Sequence, residues 1–167
     1  SYEVATPANL GRGLWDAILA AGEEFGIEAY GTEALHVLRA EKGYIVVGDE
    51  TDGTTTPIDV GLEGLVSKKK ADFIGKRSLE QSYLKGPNRK QLVGLKTKDP
   101  KVVLEEGAQI VADPNQPIPM KMIGHVTSSY WSENCGRSIA LALFTAPSAS
   151  TLTPPTTPTR AKPPNPN

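Results

Sequence analysis

Four short β-rich runs follow Gly86-Pro87-Asn88: Leu92–Leu95, Ala108–Val111, Ile123–Thr127 and Ile139–Leu143. Glycine, proline and asparagine punctuate the stretches between them. Short runs separated in this way predict a small antiparallel sheet or barrel. Before Gly86 the texture is different. Leu10, Leu14, Trp15, Ile18 and Leu19 recur at helical spacing and predict a helix with one apolar face. Asn9 is placed to cap its start, and Gly22 to stop it through left-handed geometry. A second helix is expected from Thr32 to about Gly43, carrying Leu35, Leu38 and Arg39. Tyr2 and Val4 alternate with Glu3 and Ala5, the period of a strand. Ile27–Tyr30 and Tyr44–Val47 read as further strands, Asp49–Pro57 as a loop, and Asp59–Ser67 as a helix or turn. The fold class is therefore α+β.

The 167 residues suffice for one ordinary domain or two small ones. Three segments are expected: 1–86, 87–145, and 146–167. Seven of the 14 prolines lie after Ala146, among threonine, serine and asparagine. That composition offers too little apolar surface to offset the entropy of ordering, so the last segment reads as a disordered tail. The chain opens on Ser1, with a strand already under way, which reads as a piece of a longer protein.

A net charge of −1 gives no electrostatic footprint for nucleic acid or an anionic membrane, and neither is expected as a partner. The run Lys68-Lys69-Lys70 reads as a solvated turn, with a phosphate or polyglutamate contact as the alternative. Cys135 is the single cysteine, which excludes an internal disulfide and fits a reducing, cytoplasmic setting. No apolar run approaches the ~20 residues of a membrane span. His125, Ser128 and an aspartate could be assembled into a triad on paper, but no spacing fixes that geometry. Asp49, Asp52 and Gly53 lack the remaining ligands of a calcium loop, and Gly11 and Gly13 lack the third glycine of a dinucleotide fingerprint. No metal site is expected.

Several stretches together resemble one family. Ser1-Tyr2-Glu3 is similar to the end of the Gly-Glu-x-Ser-Tyr-Glu strand of folate-dependent aminomethyltransferases. Leu38-Arg39-Ala40-Glu41-Lys42-Gly43 is similar to their Leu-Arg-x-Glu-x-Gly helix end, and Ile123-Gly124-His125-Val126-Thr127-Ser128 to their barrel signature. Thr51–Pro57 and the lysine-rich Val66–Leu79 are close to the form seen in sarcosine oxidase alpha subunits. The resemblance covers Ser1 to about Leu143. It implies that residues 1–86 are the C-terminal part of the family's folate-binding domain and 87–145 an incomplete C-terminal β-barrel.

The resemblance also implies a function. Family members place a one-carbon unit on tetrahydrofolate. In sarcosine oxidase, the carbon released by oxidative demethylation of sarcosine is captured as methylene-tetrahydrofolate. FAD, FMN and NAD would belong to other parts of the parent complex, and the other oxidase subunits would be the partners. The family's pteridine-binding glutamate maps onto Glu3. One carboxylate can accept both the ring N–H and the adjacent NH2 of a pterin as a bidentate, charge-assisted pair. Arg39 matches the Leu-Arg position and would help shape the folate cleft; the alternative is an ion pair with Glu41 or another helix carboxylate. A second family arginine falls on Leu35 here, against direct folate contact by this helix. Tyr2 and Trp15 are expected in the core. No catalytic residue is assigned, because the family's catalytic aspartate belongs to a region before Ser1. This piece alone is expected to be inactive and to bind folate weakly. The alternatives are a non-catalytic folate-binding or assembly module of the same fold, or a glycine-cleavage aminomethyltransferase.

Overall fold

The computed structural model describes residues 2–86 and 88–145. The chain forms two compact units, one ending at Ala34 and the other beginning at Leu35. The tail expectation falls on residues 146–167, outside the described residues.

In the first unit, a 3-10 turn over Ala8–Leu10 runs straight into helix α1, Gly11–Gly22. Asn9 lies inside that turn rather than capping, and no side chain caps the helix. The Leu10 amide instead donates to the Pro7 carbonyl at 2.9 Å. Helix α1 does end at Gly22, but not by left-handed geometry. Gly22 has φ −89°, and the left-handed residue is Gly26 at φ 66°. What requires glycine at position 22 is proximity, since an added Cβ would lie 2.6 Å from the Ile27 Cβ. No residue of α1 is fully buried, and Trp15 and Tyr2 are exposed rather than in a core.

The strands expected at Tyr2–Ala5 and Ile27–Tyr30 are irregular backbone, and Tyr44–Val47 contributes only an isolated bridge from Val47 to Thr51. β propensity marks a chain that fits a pleated surface, but a strand exists only where a neighbour accepts its hydrogen bonds. Among the described residues these segments have no such neighbour.

Helix α2, Thr32–Lys42, matches its expectation. Gly43 takes φ 73° and closes the last turn. Its amide reaches the Ala40 carbonyl at 3.0 Å, and the Tyr44 amide reaches that of Arg39 at 2.9 Å. Residues Asp49–Ser67 form turns with one 3-10 turn at Glu63–Leu65, and a four-residue helix, α3, spans Lys76–Leu79.

The four expected runs become strands β1 (Gln91–Leu95), β2 (Gln109–Val111), β3 (Met122–Ser132) and β4 (Arg137–Phe144). They form one antiparallel sheet in the order β1-β4-β3-β2. Central β4 supplies Ala140, Leu141, Ala142 and Leu143 to the core, and β3 adds Val126. Strand β3 runs five residues past its expected end, through Ser128, Ser129 and Ser132. Those serines are buried, and their hydroxyls are hydrogen-bonded inside the fold, so polarity concealed a genuine strand.

Strand β3 carries a β-bulge. Val126 pairs with Ala142 and Ser128 with the next partner, Leu141, which leaves Thr127 as the extra residue. Successive side chains on a strand normally point to opposite faces, and a bulge suspends that alternation.

Candidate functional site

The most concentrated chemistry in the second unit surrounds Glu50, whose side chain is fully buried. Four donors satisfy its carboxylate. Arg39 Nη1 donates to Oε2 at 2.6 Å and the Val46 amide to the same oxygen at 2.8 Å. Thr127 Oγ1 and Ser128 Oγ both donate to Oε1, at 2.9 and 2.5 Å. The bulge is what allows two consecutive hydroxyls of β3 to converge on one oxygen.

Arg39 is 7% exposed. Its Nη1 also reaches the Tyr44 carbonyl at 3.2 Å. Its Nη2 reaches Ser128 Oγ at 2.6 Å, with Asp49 and the Tyr130 hydroxyl at 3.4 Å. The guanidinium lies over the Tyr130 ring at 5.8 Å from its centroid. His36, one helical turn earlier on α2, stacks on the same ring at 6.4 Å. The ion partner of Arg39 is therefore the loop residue Glu50, not Glu41. Glu41 instead accepts from Ser132 Oγ at 2.6 Å and Asn134 Nδ2 at 2.9 Å, joining the end of α2 to the β3–β4 turn.

A second cluster holds the Asp52–Asp59 loop against the start of β1. Arg89 pairs with Asp59 in bidentate fashion, and its Nη2 also reaches the Thr54 carbonyl at 2.6 Å. Thr56 donates to Asp59 Oδ2 through its amide at 2.7 Å and its hydroxyl at 2.8 Å. Burial pushes the Asp59 carboxyl up, but the hydrogen bonds from Arg89 and Thr56 outweigh it and hold it below the ordinary value. The Thr54 hydroxyl and amide, with help from Thr55, hold Asp52 down at about 2 against an ordinary 3.8. A carboxyl depressed by folding stabilises the fold above its unfolded value, and that stabilisation disappears as pH falls through its folded value. Acid titration of Asp52→Asn beside the parent chain should therefore show the two stability curves converging between about pH 4 and 2, the parent losing its advantage there. Curves that stay parallel across that window would contradict the assignment.

The two residues singled out from the sequence lie in different units. Glu3 is exposed on irregular backbone, and among the described residues nothing donates to its carboxylate. Its acceptor lone pairs are free, which fits a ligand presenting paired N–H donors. Arg39 fits direct ligand contact less well. Its terminal nitrogens are committed to protein groups, and the Nε, buried without a partner, is the donor left over. Glu50, Thr127, Ser128 and Tyr130 were not singled out as a site from the sequence. The motif holding Thr127 and Ser128 was visible, but the loop carboxylate they serve had no periodic signal. His125 and Ser128 form no hydrogen bond with one another, since Ser128 is engaged by Glu50 and Arg39. Among the described residues, no group of three or more His, Cys, Asp and Glu side chains could hold a metal, and no helix is long and apolar enough to cross a membrane.

Comparison with known proteins agrees with this architecture. The family model described as the GCVT N-terminal domain matches residues 1–70. The one described as the glycine cleavage T-protein C-terminal barrel domain matches residues 90–162. Sarcosine oxidase subunit alpha of Corynebacterium sp. (strain P-1) is 49% identical over 148 residues, covering 86% of this chain and 15% of that protein. An aminomethyltransferase of Clostridium botulinum (strain Okra / Type B1) is 38% identical over 143 residues, covering 85% of this chain and 36% of that protein. The crystal structure of the glycine cleavage system aminomethyltransferase T from Bartonella henselae superposes with a TM-score of 0.66 at 28% identity, over 83% of this chain and 37% of that one. The chain thus spans a small part of the relatives it matches. With both domain models matched in order and the fold shared, the chain belongs to the glycine-cleavage T-protein (aminomethyltransferase) family.

Proposed function

We propose that this chain is part of a tetrahydrofolate-dependent subunit of a sarcosine oxidase, in which a one-carbon unit from the demethylated amine is received by folate. The observation that carries this reading is the 49% identity to a sarcosine oxidase alpha subunit, against 38% to an aminomethyltransferase, over nearly the same share of the chain. The division into a folate-binding part, residues 1–86, and a barrel part, 87–145, belongs to the same reading. So do the other oxidase subunits as partners, the FAD, FMN and NAD sites in other parts of the complex, and a cytoplasmic location.

In this reading Glu3 holds the pteridine. Its exposed carboxylate has both oxygens free to accept the side-by-side N–H groups of the ring. Folate, when bound, supplies the nitrogens that take up the carbon. Arg39 acts at one remove. With its terminal nitrogens on Glu50, Ser128 and the Tyr44 carbonyl, it sets the position of α2 and the loop after it, and so shapes the cleft without touching the ligand.

Calorimetry of tetrahydrofolate binding to the full-length protein, with and without Glu3→Ala, tests the assignment. Two hydrogen bonds to a charged acceptor are worth about 3 kcal/mol or more together, so the variant should bind at least roughly a hundredfold more weakly. Unchanged affinity would reduce Glu3 to a surface carboxylate. Absence of binding by either protein would favour an assembly module of the same fold.

A further inference from the structure

The stretch Lys68–Lys85 carries six cationic side chains against two carboxylates, Asp72 and Glu80, in a chain whose net charge is −1. The basic surplus is therefore local, and the rest of the chain is acidic. The same stretch walls an open groove of about 780 Å³. Its floor includes Pro57, Val66, Phe73, Leu79 and Tyr83, and Lys70 stands on its rim. A neighbouring hollow of about 330 Å³ shares Val66, Phe73 and Leu79 and is edged by Lys68, Lys76 and Lys85 together with Glu63 and Glu80. Large apolar side chains remain in water around it: Ile74 is fully exposed, and Leu65 and Tyr83 are largely so. Apolar surface gathered in a concavity and edged by more cations than carboxylates is the pattern of a recognition surface.

The lysines are placed, not merely present. Ser67 Oγ accepts the amides of Lys69 and Lys70 at 3.3 and 3.2 Å, which fixes the turn that presents the run. Lys85 is paired with Glu80 at 2.5 Å, and Lys76 Nζ is bonded to the Ala71 carbonyl. Lys68, Lys69, Lys70 and Arg77 form no ion pair among the described residues. Of these, Lys70 on the rim of the groove and Lys68 at the edge of the neighbouring hollow stand beside the apolar floor with their charge uncompensated.

We propose that this groove is a docking site for an acidic, leucine-type amphipathic segment of a partner polypeptide, with apolar side chains on the floor and carboxylates on Lys68 and Lys70. Other occupants fit less well. Residues 146–167 contain Arg160 and Lys162 and no acidic side chain, so the chain's own tail has the wrong sign. A second copy would bring the same basic rim against itself in a symmetric contact. A bilayer meets protruding apolar groups and does not fill a concavity. A polyglutamate chain would satisfy the lysines and leave the floor in water. The proposal goes beyond folate handling and does not depend on it.

The test uses the full chain and a labelled synthetic peptide of about 15 residues, with leucines at helical spacing on one face and glutamates on the other, followed by fluorescence anisotropy. Binding should weaken at least about tenfold in the triple variant Lys68→Glu/Lys69→Glu/Lys70→Glu, and by a similar factor in Leu65→Ser/Ile74→Ser. Lys101→Glu and Lys121→Glu, exposed lysines that line neither hollow, should leave it unchanged. The triple and double variants alter exposed positions, and unchanged thermal melting would confirm that they fold. In the unaltered chain, bound peptide should also protect Lys68–Lys70 from acetylation, read by mass spectrometry. Four results would each overturn the proposal: no peptide binding; equal affinity for poly-glutamate, which would mean attraction to any polyanion; binding to phosphatidylserine vesicles but not to the peptide; or serine variants that bind as well as the parent.

Discussion

Replacing Arg39 with leucine should destabilise the second unit by about 3–5 kcal/mol, the cost of leaving one half of a buried ion pair without its partner. The reason lies in the surroundings of Glu50. Its carboxylate is fully buried, and Arg39 is the one cation among its four donors. Taking away the guanidinium leaves a negative charge held by neutral donors in a place water does not reach, and also removes the donor to Ser128 and the cation over Tyr130. The double variant Arg39→Leu/Glu50→Leu should recover a substantial part of the loss, because two apolar groups of similar size need no compensation. Urea unfolding followed by circular dichroism measures both. A single-variant loss below about 1 kcal/mol would mean that the pair is solvated like a surface bridge.

The second large effect is expected at Gly124. Here glycine is required by space rather than by backbone angle. Gly124 sits in β3 opposite Phe144 of β4. A Cβ added there would lie 2.4 Å from the Leu143 carbonyl oxygen and 2.4 Å from the Phe144 Cβ. The Leu143 oxygen and the Phe144 Cα, at 2.6 Å, are backbone atoms of the central strand and cannot swing aside as a side-chain tip would. Gly124→Ala should therefore cost about 3 kcal/mol by forcing β3 and β4 apart. Gly136→Ala is a useful contrast. It occupies the β3–β4 turn at φ 60° with open space around it, so its penalty is local strain of about 1–2 kcal/mol. Thermal melts that rank the two substitutions the other way would refute the steric account.

The glycine of the Ile123–Ser128 motif shows how much the sequence could convey and where it stopped. The motif marked a strand and a family resemblance, and β3 with the matched barrel model agrees with both. It did not reveal that the next two polar residues would face the same way. Thr127 and Ser128 in an alternating strand should diverge, and only the bulge against β4 turns both onto Glu50. The helices behaved similarly. The extent of α2 followed from its apolar spacing and from Gly43, whereas the role of Arg39 on it did not. The carboxylates near it in sequence pointed to Glu41, but the fold assigned Glu41 to Ser132 and Asn134 and gave Arg39 to Glu50. At the other end of the chain, Tyr2–Ala5 and Ile27–Tyr30 had the composition of strands and, among the described residues, lack the paired neighbour a strand requires.

By itself, then, the sequence determined the α+β class, the two helices, the four strands of the sheet and the family. Each of these rests on periodicity, turn residues or motif order, which are properties of neighbouring positions. Only the tertiary structure decided the buried polar centre. Glu50 lies 77 and 78 positions from the hydroxyls it accepts, and Arg39 lies 89 from Ser128. No local pattern encodes such contacts. They form because a carboxylate taken out of water must find donors, and the packing of loop and bulged strand against α2 is what brings those donors within reach.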